Sequence, residues 1–547
     1  MKKFACFGKK LQHLCSSSCQ KIARLTKSIL FLFAYFNRFV LLRMNPFWFQ
    51  ILYFVFLSFL GFWGLKAFKP KTHDSFNPRN IDMFFTSVSA TTVSSMSTVE
   101  MEVFSNSQLI ILTIVMFIGG EVFTSMVGLH LRKYKLKNYH EKVISINTDL
   151  GLSNHTSLME QIELGLIRKS EAELVIHNQL VLEHESMENE RLKYSSIKFL
   201  EFVVLGYLVV IHVIGLGLVS LYFTVVSSAR EVLKNKSLKM FTFYVFATVS
   251  TFASCGFVPT NENMMVFSKN SGLLLILIPQ VLMGNTLFPS CLRFSIWVLG
   301  KFVKKTESDY LLKKTGEVGY LHLLPSLHSI LLVATVCGFI LVQLAVFSSL
   351  EWNAEALSGL NSYQKFIGVI FQSVNSRHTG ETIVDLSIIS PAILVLFIVM
   401  MYLPPYTSFL LVKDGGEKNP RRLCGSGRTK KRSSGKVVEN LIFSQLSYLV
   451  IFIILICITE RNKLKEDPLN FNVLNIVLEV ISAYGNVGFT TGYGCKRQLH
   501  PDANCQDKWI GFSGKWSDEG KIILIVVMFF GRLKKFTMDG GRAWKLL

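Results

Sequence analysis

Eight long apolar runs dominate the chain, and they fall into four pairs. They cover about 46–68, 107–130, 200–223, 272–299, 324–347, 390–411, 441–458 and 521–536. A bilayer-crossing helix takes roughly 20 mostly apolar residues, so each run predicts one transmembrane helix. Between the members of every pair lies a polar hairpin ending in a small residue. These read TTVSSMSTVE around Ser97, TFASCGFVPT around Gly256, SVNSRHTGET around Gly380 and YGNVGFTTG around Gly488. Polar irregular backbone at membrane depth is tolerated only where it is buried in protein or lines a water-filled cavity. The pattern predicts an all-α integral membrane protein: eight transmembrane helices in four helix–pore-loop–helix repeats around a pseudo-fourfold central pore.

Registered on the small residue, the position two before it is Ser95, Ser254, His378 and Asn486, polar every time. Six before it stand Thr91, Ser250, Val374 and Ser482, polar in three of four. Short helices such as IDMFFTSVSATTV are expected to lead into each turn. Their C-terminal ends carry partial negative charge, which suits a cation.

Charge then orients the chain. Basic clusters follow the second, fourth, sixth and eighth runs (RKYKLKNYHEK, GKFVKKTESDYLLKK, KDGGEKNPRRLCGSGRTKKRSSGK and GRLKKFTMDGGRAWK), and the amino terminus is basic too. Lys and Arg are enriched in cytosolic loops, so both termini are expected in the cytosol and all four hairpins outside. The resulting organisation is a basic N-terminus at 1–45, pore repeats at 46–137, 199–305, 323–412 and 438–547, cytosolic linkers at 138–198 and 306–322, and a basic loop at 413–437. The apolar stretch 28–44 is interrupted by Asn37 and Arg38. A mid-bilayer arginine is costly, so it reads as a surface-lying helix, with a ninth span as the alternative.

The composition agrees. Half of the 547 residues are hydrophobic and only 17% charged, against roughly a quarter charged in soluble domains. The net charge of +21 lacks the interleaved aromatics of a nucleic-acid-binding module and reads as loops anchored to membrane lipid. Cys495 and Cys505 share an expected outer loop, where a disulfide is permitted. The sequon at Asn154 falls in a cytosolic linker and that at Asn235 in an outer loop. A multipass enzyme is disfavoured: HESMENE lacks the second histidine of a zinc motif, and phosphate-loop, CxxC and GxSxG signatures are missing. No cofactor is called for.

The chemistry lies in the hairpins. A carbonyl-lined filter replaces the water shell of an ion with backbone oxygens, and glycine lets that backbone come close. Gly256, Gly380 and Gly488 meet the need; the hydroxymethyl group of Ser97 must project into the pore or shift its backbone. Two roles are open to Glu100, Glu102, Glu262 and Glu381: concentrating cations at the mouth, or packing against Arg377 or His378. Arg377 would repel cations in the pore, so it is expected to turn away and be paired. Pro404 and Pro405 should break the sixth run.

VSSMSTVEMEVFSN with FIGGEVFTS, TFASCGFVPTNENM, SVNSRHTGE, YGNVGFTTGY and the terminal FFGRLKKFTMDGGRAWKLL resemble the plant HKT transporters of the Trk/Ktr/HKT group, from about residue 46 to the C-terminus. The resemblance implies filter positions at Ser97, Gly256, Gly380 and Gly488, with Na+ as the bound and transported ion. Ser-Gly-Gly-Gly marks the sodium-selective members, whereas four glycines are typical of members that also carry K+. It further implies passive transport at the plasma membrane, a homodimer with one pore per protomer, and a role in sodium retrieval and salt tolerance. A basic residue of the last helix, here Arg532, is implied to restrain cation flow, and a constriction is implied near Pro404 and Pro405. Lys534 and Lys535 read as cytosolic anchors. The rivals are a sodium–potassium symporter and a potassium-permeable uniporter.

Overall fold

The computed structural model describes residues 46–71, 78–137, 169–407, 445–498, 505, 507 and 511–537. The expected surface helix at 28–44, Asn154, most of the first linker, the 413–437 loop and the side chain of Lys535 lie outside them. Two compact units divide the chain at 1–53 and 54–547. The described part of the first is the opening of the apolar helix Pro46–Ala67. Every regular element of the described residues is a helix.

Four short helices, Asn80–Thr92, Met240–Phe252, Ser362–His378 and Val473–Gly485, lead into the four hairpins. Apart from their N-terminal turns they are largely buried, although they carry many hydroxyl and amide side chains. Burial is tolerated where those groups bond within the helix. In the first, Thr86, Thr91 and Thr92 donate to the carbonyls of Asp82, Ser87 and Val88 at 2.9, 2.8 and 2.8 Å. In the third, Ser373 and Asn375 donate to Val369 and Phe371 at 2.7 and 2.9 Å.

Longer helices surround this inner layer. Pro46–Ala67, Lys169–Val225 and Ser326–Glu351 expose Trp63, Val213 and Ile330 by 69%, 64% and 66%. Such an apolar outer face is suited to lipid, not water.

The second helix of three repeats departs from the expected straight span. In the first repeat Asn106–Gly119 and Glu121–Lys137 meet at 51°, and in the second Ser271–Gly284 and Phe288–Phe302 meet at 83°. By length and composition, three described helices can cross a membrane alone, or five if each bent pair is one span. In the third repeat Pro391–Tyr402 stops just before Pro404, as a residue preceding proline disfavours helix. The last helix, Asp518–Thr537, runs unbroken.

Beside the first two bends, and at the matching place in the unbroken last helix, these helices cross the ends of the short inner ones. A Cβ added to Gly119, Gly284 or Gly531 would lie 2.2, 1.9 or 2.0 Å from the carbonyl oxygen of Thr91, Phe252 or Tyr484. Only hydrogen fits there. Lipid tails are as apolar as leucine, so van der Waals closeness at such seams, and not exclusion of water, holds membrane helices together.

Candidate functional site

The four hairpins meet backbone to backbone. A Cβ on Gly256 would lie 2.3 Å from the amide nitrogen of Gly380, one on Gly380 would lie 2.8 Å from the carbonyl of Gly488, and one on Gly488 would lie 2.2 Å from the Cβ of Ser95. The ring closes from the first hairpin to the second, where the Glu102 amide donates to Asn261 Oδ1 at 3.0 Å and the Asn261 amide to Glu102 Oε1 at 3.1 Å. The walls therefore succeed one another in chain order around one axis.

Three walls share a backbone device. Left-handed residues stand at alternate positions: Val93 and Ser95 (φ 52° and 53°), Ser254 and Gly256 (61° and 87°), and Asn486 and Gly488 (52° and 104°). A β-branched residue such as Val93 in this region is a genuine outlier, and strain of this kind collects at functional sites. The third wall differs. Its helix has 17 residues against 13 in each of the others, and Gly380 is absent from the positive-φ residues. The pairs match Val93 to Ser254 and Asn486, and Ser95 to Gly256 and Gly488. The same register comes from the amides of Ser94, Cys255 and Val487, which donate to the carbonyls of Ser89, Ser250 and Ser482 at 2.8, 2.9 and 3.0 Å. Ser95, and not the expected Ser97, therefore stands level with the glycines, and Ser97 lies two residues further on, in the exit loop. On the third wall His378 ends a helix and bonds Thr286 Oγ1 through Nδ1 at 2.8 Å. Six positions before the small residue, Ser482 Oγ accepts the Gly488 amide at 2.9 Å.

Ser97 is 1% exposed. Its hydroxyl donates to the Val99 carbonyl and accepts the Val99 amide at 3.3 Å, folding back on its own loop. The carbonyls of Ser97 and Gly380 take hydrogen bonds from Ser513 Oγ at 3.4 Å and Asn263 Nδ2 at 2.9 Å. A carbonyl has two lone pairs, so one remains on each.

The TrkH cation transport protein family model matches residues 174–539. The chain is 46% identical to "Cation transporter HKT1;3" of Oryza sativa subsp. japonica over 98% of both chains. It is 51% identical to "Sodium transporter HKT1" of Arabidopsis thaliana over 88% of this chain and 92% of that one. The chain belongs to the HKT cation transporters. It is a multi-pass membrane transporter of cations and not an enzyme. The crystal structure of the potassium transporter TrkH from Vibrio parahaemolyticus pairs with it at 16% identity and a TM-score of 0.47, covering 91% of this chain and 84% of that one.

Of the four acidic candidates in this HKT transporter, Glu381 is fully buried and accepts from Thr251 Oγ1 at 2.5 Å. Glu100 is buried beside its hairpin. Glu102 and Glu262 share one partner, Lys236, whose Nζ lies 2.8 Å from Glu102 and 2.7 Å from both oxygens of Glu262. Burial pulls the Lys236 pKa down, but the two carboxylates outweigh it and raise the pKa above the ordinary lysine value.

Arg377 turns away from the ring. It donates to the carbonyls of Pro404 and Pro405 at 2.9 and 3.3 Å and lies 4.8 Å over the Phe339 ring. Its partners are carbonyls of the broken helix. A small cavity opens there, lined by Asn285, Arg377, Pro404, Tyr484 and Lys534, with Lys534 Nζ 4.3 Å over the Tyr484 ring.

Arg532 is fully buried between repeats. It donates to the Gly119 carbonyl at 2.6 Å, and its Nη1 lies 4.0 Å from Glu121. Glu121 in turn accepts from the Tyr406 hydroxyl at 3.4 Å, which meets His322 Nδ1 at 2.8 Å. Sequence reasoning missed Glu121, His322 and Tyr406. The available signal was Glu121 itself, a single charge inside an apolar run, which marks a buried partner by default. Cys495 and Cys505 form a disulfide with Cα atoms 5.8 Å apart.

Proposed function

We propose that the chain is a sodium-selective passive conductor of the plasma membrane, with the Ser95, Gly256, Gly380 and Gly488 ring as its selectivity filter. The observation that carries this reading is the meeting of the hairpin backbones, Gly256 set against Gly380, Gly380 against Gly488 and Gly488 against Ser95. Backbone oxygens ordered in this way can take the place of a hydration shell. Ser95 narrows one wall by a side chain, which disfavours the larger ion. Support for sodium comes from the Arabidopsis relative, whose name calls it a sodium transporter. The gradient drives the flow, and no cofactor or nucleotide enters. Homodimeric assembly, both termini in the cytosol and a role in plant sodium retrieval and salt tolerance complete the reading.

One observation favours the rival, potassium permeation as a uniporter or sodium–potassium symporter. Ser95 shares the left-handed backbone of Gly256 and Gly488, so only its hydroxymethyl group distinguishes this wall from a glycine wall. Two-electrode voltage clamp in oocytes separates the readings, with sodium and potassium varied independently for wild type and Ser95→Gly. Sodium selectivity requires a wild-type reversal potential that follows sodium alone and a glycine variant that begins to follow potassium. A wild type that already follows potassium overturns it.

A further inference from the structure

The loops leaving the first and second walls are fastened together by a residue belonging to neither. Glu102 lies five positions beyond Ser97, and Glu262 six beyond Gly256. Their carboxylates converge on Lys236, which precedes the second inner helix. All three side chains are only about a quarter exposed, at 23%, 23% and 28%. The lysine is itself held from behind, since Lys71 Nζ donates to the carbonyls of Lys236 and Ser237, both at 3.1 Å. Lys71 also bonds the first exit loop, its amide donating to the Val103 carbonyl at 2.8 Å. With the reciprocal Glu102–Asn261 pair, three segments of the outer mouth are braced across the junction of walls one and two.

That junction has a special place in the ring. At the other three, a small-residue backbone abuts the next wall directly, within 2.8 Å of any added Cβ. The first wall carries Ser95 there, and its exit loop runs through Ser97, whose hydroxyl is turned onto Val99, only three residues before Glu102. We infer that Lys236 is a positioning residue for ion selectivity: by clasping Glu102 to Glu262 it fixes the Ser95 wall against the Gly256 wall. This rests on the filter reading above. A short charge-assisted contact fixes geometry as well as contributing energy, and discrimination between ions depends on where the oxygens stand. Lys236 touches no ion; it acts through the two loops.

The test is the sodium-to-potassium permeability ratio, from reversal potentials in oocytes, for wild type, Lys236→Met, Lys236→Arg, Glu102→Gln, Glu262→Gln and Ser95→Gly. Positioning predicts that Lys236→Met lowers the ratio by about threefold or more, that Lys236→Arg restores it, and that each glutamine variant moves it the same way. Reversal potential is read only from conducting protein, so failure of Lys236→Met to reach the surface leaves the milder glutamine variants to decide. A pure charge effect looks different: Lys236→Met then raises current at low ionic strength, fades with added salt and leaves the ratio unchanged, which overturns the inference. An unchanged ratio in all clasp variants with a shifted Ser95→Gly overturns the clasp alone. If Ser95→Gly is also unmoved, the filter reading falls with it.

Discussion

Ser95 differs from the three glycines of the ring by one hydroxymethyl group, which lies against the Gly488 wall. Ser95→Ala separates the bulk of that group from its hydroxyl. If bulk decides selectivity, Ser95→Ala keeps the wild-type reversal potential while Ser95→Gly loses it, and this is the expected result; an alanine variant that behaves like glycine would transfer the role to the hydroxyl. The glycines should be less forgiving. Gly256 and Gly488 combine a left-handed backbone with near contact to the next wall, so Gly256→Ala and Gly488→Ala meet both strain and overlap. Surface-labelled protein with no current, or no surface protein, is expected for each. The raised Lys236 pKa gives a further expectation with a definite sign. A raised basic pKa leaves the ion pair fully formed below the ordinary lysine value and lost only as pH rises through the higher one. The permeability ratio should therefore show no lysine titration as bath pH moves from about 6 to 8.

At the scale of elements, the apolar runs made the membrane helices and their pairing legible, because length and hydrophobicity are local properties. The breaks were less so. LLLILIPQVLMGNTLFPSCLRF reads as one span, yet it bends by 83° after Gly284, where it passes the Phe252 carbonyl of another helix, a neighbour that no local pattern announces. The double proline was the exception, being a break written in covalent geometry. Arg532 shows the opposite limit: its position at the end of an apolar run was plain, but its attachment to Gly119 and Glu121 depends on a helix some four hundred residues away. The seams yield a controlled comparison. Gly119→Ala, Gly284→Ala and Gly531→Ala push a methyl into a backbone oxygen, whereas a Cβ at Gly206 or Gly217 meets nothing within 4 Å. Loss of surface protein is expected for the first three, and wild-type levels for the last two, where alanine favours the helix by about 1 kcal/mol. Pro404→Ala with Pro405→Ala restores two backbone donors but keeps the carbonyls that Arg377 holds. If the break limits flow, current size changes while reversal potential does not; unchanged currents would remove the break from the pathway.

For the whole molecule the open physical question is which end faces out, and two sequons make it decidable. Asn235 ends the helix Ser227–Asn235, is exposed, and directly precedes Lys236, which reaches the loops beyond the filter positions. The Cys495–Cys505 pair follows the fourth of those positions, on the same exit side. The basic clusters, by contrast, follow the second helix of each repeat, as does Asn154 in the linker after the first. Positive charge near a membrane favours the cytosolic side, and glycans are added only on the other. In a glycosylating host, therefore, one glycan is expected, at Asn235. Treatment with a peptide N-glycosidase should sharpen and lower the band of wild type and of Asn154→Gln alike, and should leave Asn235→Gln and Ser237→Ala unmoved. A shift that survives Asn235→Gln and disappears in Asn154→Gln would invert the molecule, putting the filter mouth in the cytosol and the Lys236 clasp at an inner entrance. With no shift in any variant, orientation would rest on labelling of a single added cysteine at the same two positions by an impermeant thiol reagent, where Asn235→Cys should react in intact cells and Asn154→Cys should not.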